Sequence, residues 1–320
     1  MAPVRSSSLV WMQYAGFKEM SVLKLKKRCL LALGVALLGV AAGCAKPEEG
    51  NAGSGGSAGG SQGGSGKSAL TIKGSDTMVQ LAQAWAQAFM KAHPEIEVTV
   101  TGGGSNTGIA ALVNKSTDIA NASRPMKQEE KDAAKKNGVD VHEFVVAQDA
   151  LSIIVNPANP VTELTFDQLK DLYTGKVTNW KQVGGPDMKI VLNGRESSSG
   201  SFVFFQEHVL NKAPYASEVL QQPATSQIVD NVAQDKGGIG YVGLGYVTAR
   251  VKAVKIKQTA SSSAIAGTVE NVINKTYPLA RPLFEYTAGE PAAAAKTWLD
   301  WVAGTEGQEL VKRLEFVPIK

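Results

Sequence analysis

Small polar residues and glycines gather in four short segments, and two of these also carry an arginine. The segments are Gly74-Ser75-Asp76-Thr77, Gly103-Gly104-Ser105-Asn106-Thr107-Gly108, Ala122-Ser123-Arg124-Pro125 and Arg195-Glu196-Ser197-Ser198-Ser199-Gly200-Ser201. Serine and threonine hydroxyls are donors that rotate to suit a partner, and glycine lets a ligand close on the backbone. Arginine's planar fork matches a tetrahedral oxyanion, through charge-assisted bonds about twice as strong as neutral ones. Together these residue types fit the capture of a small anion. Plainer readings stand beside that one. Ser75 or Asp76 could simply cap a helix, the second segment could be a bare turn, and Arg124 could sit in a surface ion pair. A linker reading of the serine run conflicts with the apolar residues on both sides of it.

Catalysis finds less support in the same residues. The three histidines, His93, His142 and His208, lack metal-ligand spacing, and no serine lies in a Gly-x-Ser-x-Gly elbow. The two cysteines, Cys29 and Cys44, provide neither a disulfide framework nor a CxxC metal site. The expectation is a protein that binds without catalysing, with no cofactor and no metal.

The elements that must hold the four segments are legible from periodicity. Strand-like runs fall at 70–73, 96–100, 118–122, 188–193 and 239–242, with two more stretches inside 141–156 around Gln148-Asp149. Met78, Leu81, Trp85 and Phe89 recur at helical spacing, and His93-Pro94 stops that helix. Further helices are predicted over 109–114, 127–137, 165–173, 199–210 and 291–303. Strands alternating with helices predict an α/β fold in two blocks. The apolar stretches 150–156 and 282–287 are candidates to cross between them, and the last helix, with Trp298 and Trp301, is expected to pack back on the first block. Each polar segment then lies between a strand and a helix, where free N–H groups and the helix dipole favour anions.

The net charge of +4 does not describe the body of the chain. Residues 1–43 hold six basic residues (Arg5, Lys18, Lys24, Lys26, Lys27, Arg28) and one acid, Glu19, leaving 27 basic and 28 acidic residues from Cys44 onward, a net of −1. A nucleic-acid partner therefore has no electrostatic footprint here. A basic run from Met20, then a short apolar run ending in small residues, reads as a secretory signal over 1–43. Residues 1–19 lack targeting character, so Met20 is an alternative start. Val40-Ala41-Ala42-Gly43-Cys44 resembles a bacterial lipobox, with Cys44 the lipidated residue, although Ala41 stands where leucine is usual; an ordinary cleaved signal is the alternative. Residues 44–68 read as a Gly/Ser-rich tether.

The four segments, with Gln148-Asp149-Ala150-Leu-Ser-Ile-Ile-Val-Asn, Gly238-Gly-Ile-Gly-Tyr-Val-Gly and Tyr277-Pro-Leu-Ala-Arg-Pro-Leu, resemble in order the phosphate-binding proteins of phosphate ABC importers over about residues 69–320. The resemblance implies a type II-like, two-lobed periplasmic-binding-protein fold with two crossing strands, closing over one phosphate. It divides the chain into a first lobe of 69–149 and 279–320 and a second of 150–278. It puts Ser75, Thr77, Ser105, Ser123, Arg124, Arg195, Ser199, Gly200 and Ser201 on the phosphate. Some members carry an aspartate at the position of Arg124, accepting the proton of hydrogen phosphate; Asp149 is the candidate for that role here. Alternatively, Asp149 only pairs with Arg124 or Arg195. Other members have Asp-Gly where this chain has Asp149-Ala150. The implied partners are inorganic phosphate, permease subunits of the importer, and a membrane through the lipid alone. The implied state is an extracytoplasmic monomer. Another oxyanion (sulfate, molybdate, a phosphonate) and a sensing module without transport remain alternatives.

Overall fold

The computed structural model describes residues 67–319. The signal over 1–43, Cys44 and nearly all of the tether over 44–68 lie outside the described residues. The described residues belong to one unit. In it β1 (Ser68–Gly74) pairs in parallel with β2 (Ile96–Thr101) on one side and β3 (Ile119–Ala122) on the other. Helices α1 (Asp76–Ala92) and α2 (Ser105–Val113) join these strands, and α3 (Gln128–Lys136) follows β3. Leu70 and Ile72 of β1 pack with Met78, Leu81, Trp85 and Phe89 of α1.

A 15-residue strand, β4 (Val141–Val155), then runs from the first lobe into the second. Its first ten residues, Val146 excepted at a bulge, pair antiparallel with β10 (Ala280–Ala288), and its last five with β8 (Gly238–Gly243). From sequence alone this run reads as two stretches around Gln148-Asp149. The strand is instead continuous, because both residues keep their ladder partners, Pro282 and Arg281. In the second lobe β6 (Val191–Arg195) pairs in parallel with β8 and with β7 (Leu220–Gln222). The sheet thus reads β2-β1-β3-β10-β4-β8-β6-β7 through both lobes, with β9 (Lys252–Lys257) pairing off this path with the end of β4 and with β5 (Glu163–Thr165). Along β4, Leu151, Ile153 and Val155 join one core while Ile154 joins the core on the opposite face, the period-two alternation of a strand buried on both sides.

Helices α5 (Gly200–His208) and α6 (Thr225–Gln234) cover the second lobe's sheet. The helix predicted over 291–303 is α8 (Ala293–Ala303), following α4 (Phe166–Tyr173) and α7 (Val269–Ile273) in chain order. It does pack on the first lobe: the Trp298 ring lies edge-on to Phe89 at 5.2 Å and to Trp85 at 6.4 Å. The strand expected over 188–193 is β6, two to three residues later, because Lys189 is drawn into a bridge with Asn179 instead.

Candidate functional site

Helices α1, α2 and α5 begin just past the C-terminal ends of β1, β2 and β6, so three sets of free N–H groups face the space between the lobes. Ser75 stands at the start of α1, is 2% exposed, and makes no side-chain cap bond; its Oγ has no partner in the protein. Two residues on, Thr77 Oγ1 lies 2.9 Å from Ser201 Oγ in the first turn of α5. Ser105 opens α2, and its Oγ accepts from the Ser123 N–H at 3.1 Å and lies 3.4 Å from Ser123 Oγ. Ser199 caps α5 by accepting from the Ser201 N–H at 3.1 Å.

The loops of the two lobes touch. The Asn106 N–H donates to Ser198 O and its side-chain Nδ2 to Ser197 O, each at 3.0 Å. Gly104, at φ 92°, lies where a side chain would meet Ser198 O at 2.5 Å. Gly200 is as tightly placed: a Cβ there would lie 2.4 Å from Ser105 Oγ and 2.7 Å from Ser123 Oγ. The first turn of α5 therefore abuts the hydroxyls of the first lobe, and only glycine permits it.

Three buried arginines stand on or against these segments, each paired with a carboxylate, and one of them, Arg281, bonds the Ser201 hydroxyl. Arg195 donates from Nε to Gln222 O (3.1 Å), from NH1 to Thr225 Oγ1 (2.7 Å), and from NH2 to Pro223 O and Asp76 Oδ2 (both 2.8 Å). Arg281 donates to Asp149 Oδ2 from Nε at 3.1 Å and NH2 at 2.8 Å, and also reaches Ser123 O and Ser201 Oγ. Arg124 turns its NH1 and NH2 to Glu130, at 2.8 and 2.6 Å, and to Pro125 O and Asn106 Oδ1. Its buried Nε has no partner. A guanidinium has five N–H groups; each of these three gives four bonds to the protein and keeps one N–H.

Asp149 is fully buried and pairs with neither Arg124 nor Arg195. Its Oδ2 takes the Arg281 fork, while Oδ1 accepts one bond, from the Leu244 N–H at 2.9 Å. Burial pulls the Arg281 guanidinium below its ordinary value, and the Asp149 carboxylate acts against that shift. Burial also pushes Glu130 up, but bonds from Arg124 and the Lys127 N–H outweigh it and hold the acid below its usual range. Each of these three arginines is matched by an acid, and the helix termini and neutral hydroxyls add uncompensated donors beside them. The histidines lie apart: His93 stacks on Phe89, His208 Nδ1 meets Phe204 O, and His142 flanks Asp140 and Glu290. Among the described residues no group of three His, Cys, Asp or Glu side chains is placed to hold a metal.

Residues 55–306 match the PBP superfamily domain. The chain is 33% identical to Protein SphX of Synechococcus elongatus over 79% of its own length and 78% of that protein. It is 31% identical to the phosphate-binding protein PstS of Bacillus subtilis, over 93% of this chain and 95% of that one. The chain belongs to the PstS family of phosphate-binding proteins. A solved structure of a Clostridium perfringens protein with bound phosphate has TM-score 0.72 at 32% identity, spanning 79% of this chain and all of that one. An ABC-type phosphate transport receptor from Vibrio cholerae has TM-score 0.64 at 30% identity, over 78% and 99%.

Sequence reasoning passed over two residues of this PstS-family site. Arg281 lies inside the Tyr277–Leu283 motif, and a charge in the apolar run 279–286 is the kind of residue that is buried only when paired. Asp76, with Ser75 one of two possible helix caps in the sequence, is the acid on Arg195.

Proposed function

We propose that this chain captures inorganic phosphate outside the cytoplasm and delivers it to an ABC-type importer. The observation that carries this reading is the meeting of three helix N-termini with the hydroxyls of Ser75, Thr77, Ser105, Ser123 and Ser201, one of which Arg281 already bonds. Donors from both lobes close on the anion, so the ligand stabilises the lobes-together state. Arg195, Arg124 Nε, Ser199 and the Gly200 backbone complete the donor set.

Asp149 is the acceptor for the proton of hydrogen phosphate. Its Oδ1 holds a single bond, which leaves room to accept another, while Oδ2 takes the fork of Arg281. Sulfate offers no proton at neutral pH and would meet a bare carboxylate. The lobes divide at 149/150 and 278/279, Cys44 carries the lipid, and the chain acts as a monomer that binds without catalysing.

Calorimetry on protein stripped of bound anion tests this. One-to-one binding of phosphate with no heat from sulfate is expected. A preference for sulfate, molybdate or a phosphonate would replace the ligand and leave the fold standing. Phosphate binding without uptake in membranes that hold the permease would make the chain a sensor.

A further inference from the structure

Arg195 stands at the end of β6, and its own lobe satisfies it only with neutral groups: Gln222 O, Pro223 O and Thr225 Oγ1. Glu196, the next residue, is exposed. The carboxylate that matches its charge comes across the cleft from Asp76, 119 residues away, at 2.8 Å. Arg195 is 2% exposed in this pair and Asp76 16%. Asp76 makes a second bond to the far lobe, since its backbone O accepts from Tyr246 Oη at 2.8 Å. Its other oxygen packs against Gly102, where a Cβ would lie 2.4 Å away.

An acid in the first turn of α1 is a poor choice for anion binding alone. It repels the ligand and cancels part of the helix-terminus field it sits in. Its bond to Arg195, however, exists only when the lobes meet. We propose that Asp76 is a positioning residue acting through Arg195, a tie between the lobes that forms without ligand and slows both capture and release of the anion. The rate effects rest on the phosphate reading above; the tie itself does not.

When the lobes part, Arg195 loses its only carboxylate and faces the cleft with neutral partners, so the open second lobe is the more cationic half. When they meet, the pair is largely shielded from water and is worth more than a surface ion pair. The ligand-free protein therefore spends part of its time closed, and capture is slowed by the fraction that is not open. Release requires breaking the same tie.

The test is stopped-flow binding of inorganic phosphate to the full-length protein and its Asp76→Asn variant, with small-angle scattering of both free of ligand. Asp76→Ser serves as a second variant should the first not fold, and Glu196→Gln as a control. The expected result is capture about threefold faster and release about tenfold faster in Asp76→Asn, so that affinity moves less than the release rate. Its ligand-free radius of gyration should also exceed that of the wild type, while Glu196→Gln changes nothing. Either rate unchanged or lowered, or coincident ligand-free scattering curves, would overturn the proposal. A wild type that shows no phosphate transient would sink the phosphate reading instead, and the scattering comparison would still decide whether the tie exists.

Discussion

Arg124 lies two residues past the end of β3 and Arg195 is the last residue of β6, both have a serine within two residues, and both are almost wholly buried. Their surroundings differ in one respect. Arg124 takes its counter-ion from Glu130, six residues on in the same lobe, through a two-pronged pair that also fastens the start of α3. Arg195 takes its counter-ion from the opposite lobe. An arginine balanced locally holds a turn together whatever the lobes do. One balanced across the cleft has a charge whose compensation depends on closure. Residue type and strand-end position are alike, so the source of the acid separates scaffold from switch.

Four substitutions break or sharpen that contrast. The largest effect is expected at Arg195: replacement by alanine should weaken phosphate binding by about 3–5 kcal/mol, because it strips a closed site of a buried charge. Calorimetry would show it, and unchanged affinity would remove Arg195 from the ligand.

Next come the acids. Glu130 sits with an arginine and is held low, whereas Glu285 is fully buried with only Trp298 Nε1 on Oε2, and burial pushes it up to about 8. Its Oε1 and the Oδ1 of its cross-strand partner Asn121 are both acceptors without a donor, which a protonated carboxyl would reconcile. Because the folded value is raised, the stabilisation is complete below the ordinary 4.5 and is lost as pH climbs towards about 8. That loss should amount to about 2–4 kcal/mol in urea melts at stepped pH, and Glu285→Gln should flatten it. Glu130, held low, acts in the opposite sense: its contribution is present above the ordinary carboxyl value and fades as pH falls through its lowered one.

Asp149→Asn should shrink the preference for phosphate over sulfate by about tenfold, or about 1.4 kcal/mol, in competition titrations. A ratio that stays put would make Asp149 no more than the anchor of Arg281. The smallest effect on binding belongs to Arg124→Ala. It should cost stability in denaturant melts but shift phosphate affinity by less than about 1 kcal/mol, because Glu130 already matches its charge and only its Nε is free. A loss as large as that at Arg195 would erase the distinction between the two turns.

Much of this was readable in advance, for a definite reason. Local pattern announced the strands and helices: the 78–81–85–89 spacing of α1 and the alternation in β2 both depend on neighbours along the chain. The glycine and serine loops were equally visible, because a strand followed by a capped helix puts its turn at the mouth of the fold. The pairings were not. Arg281 meets Asp149 because β10 runs antiparallel to β4 in a register that sets them opposite one another across 132 residues of sequence. Asp76 reaches Arg195 only once two lobes are folded and apposed. No periodicity carries either fact. The continuity of β4 through Gln148-Asp149 was hidden too, since polar residues in a strand look like a break until their ladder partners are known.

The ladder between β4 and β10 has a consequence beyond ligand capture. Two-part proteins are often joined by loose segments that peptidases nick. Here the backbone between Val146 and Leu151 is hydrogen-bonded to Leu279–Leu283 or to residue 317 and is mostly buried where it crosses. Opening must flex this paired ribbon like a leaf spring, so its amides should stay protected from exchange while the cleft gapes, and no slack strand is offered for cutting.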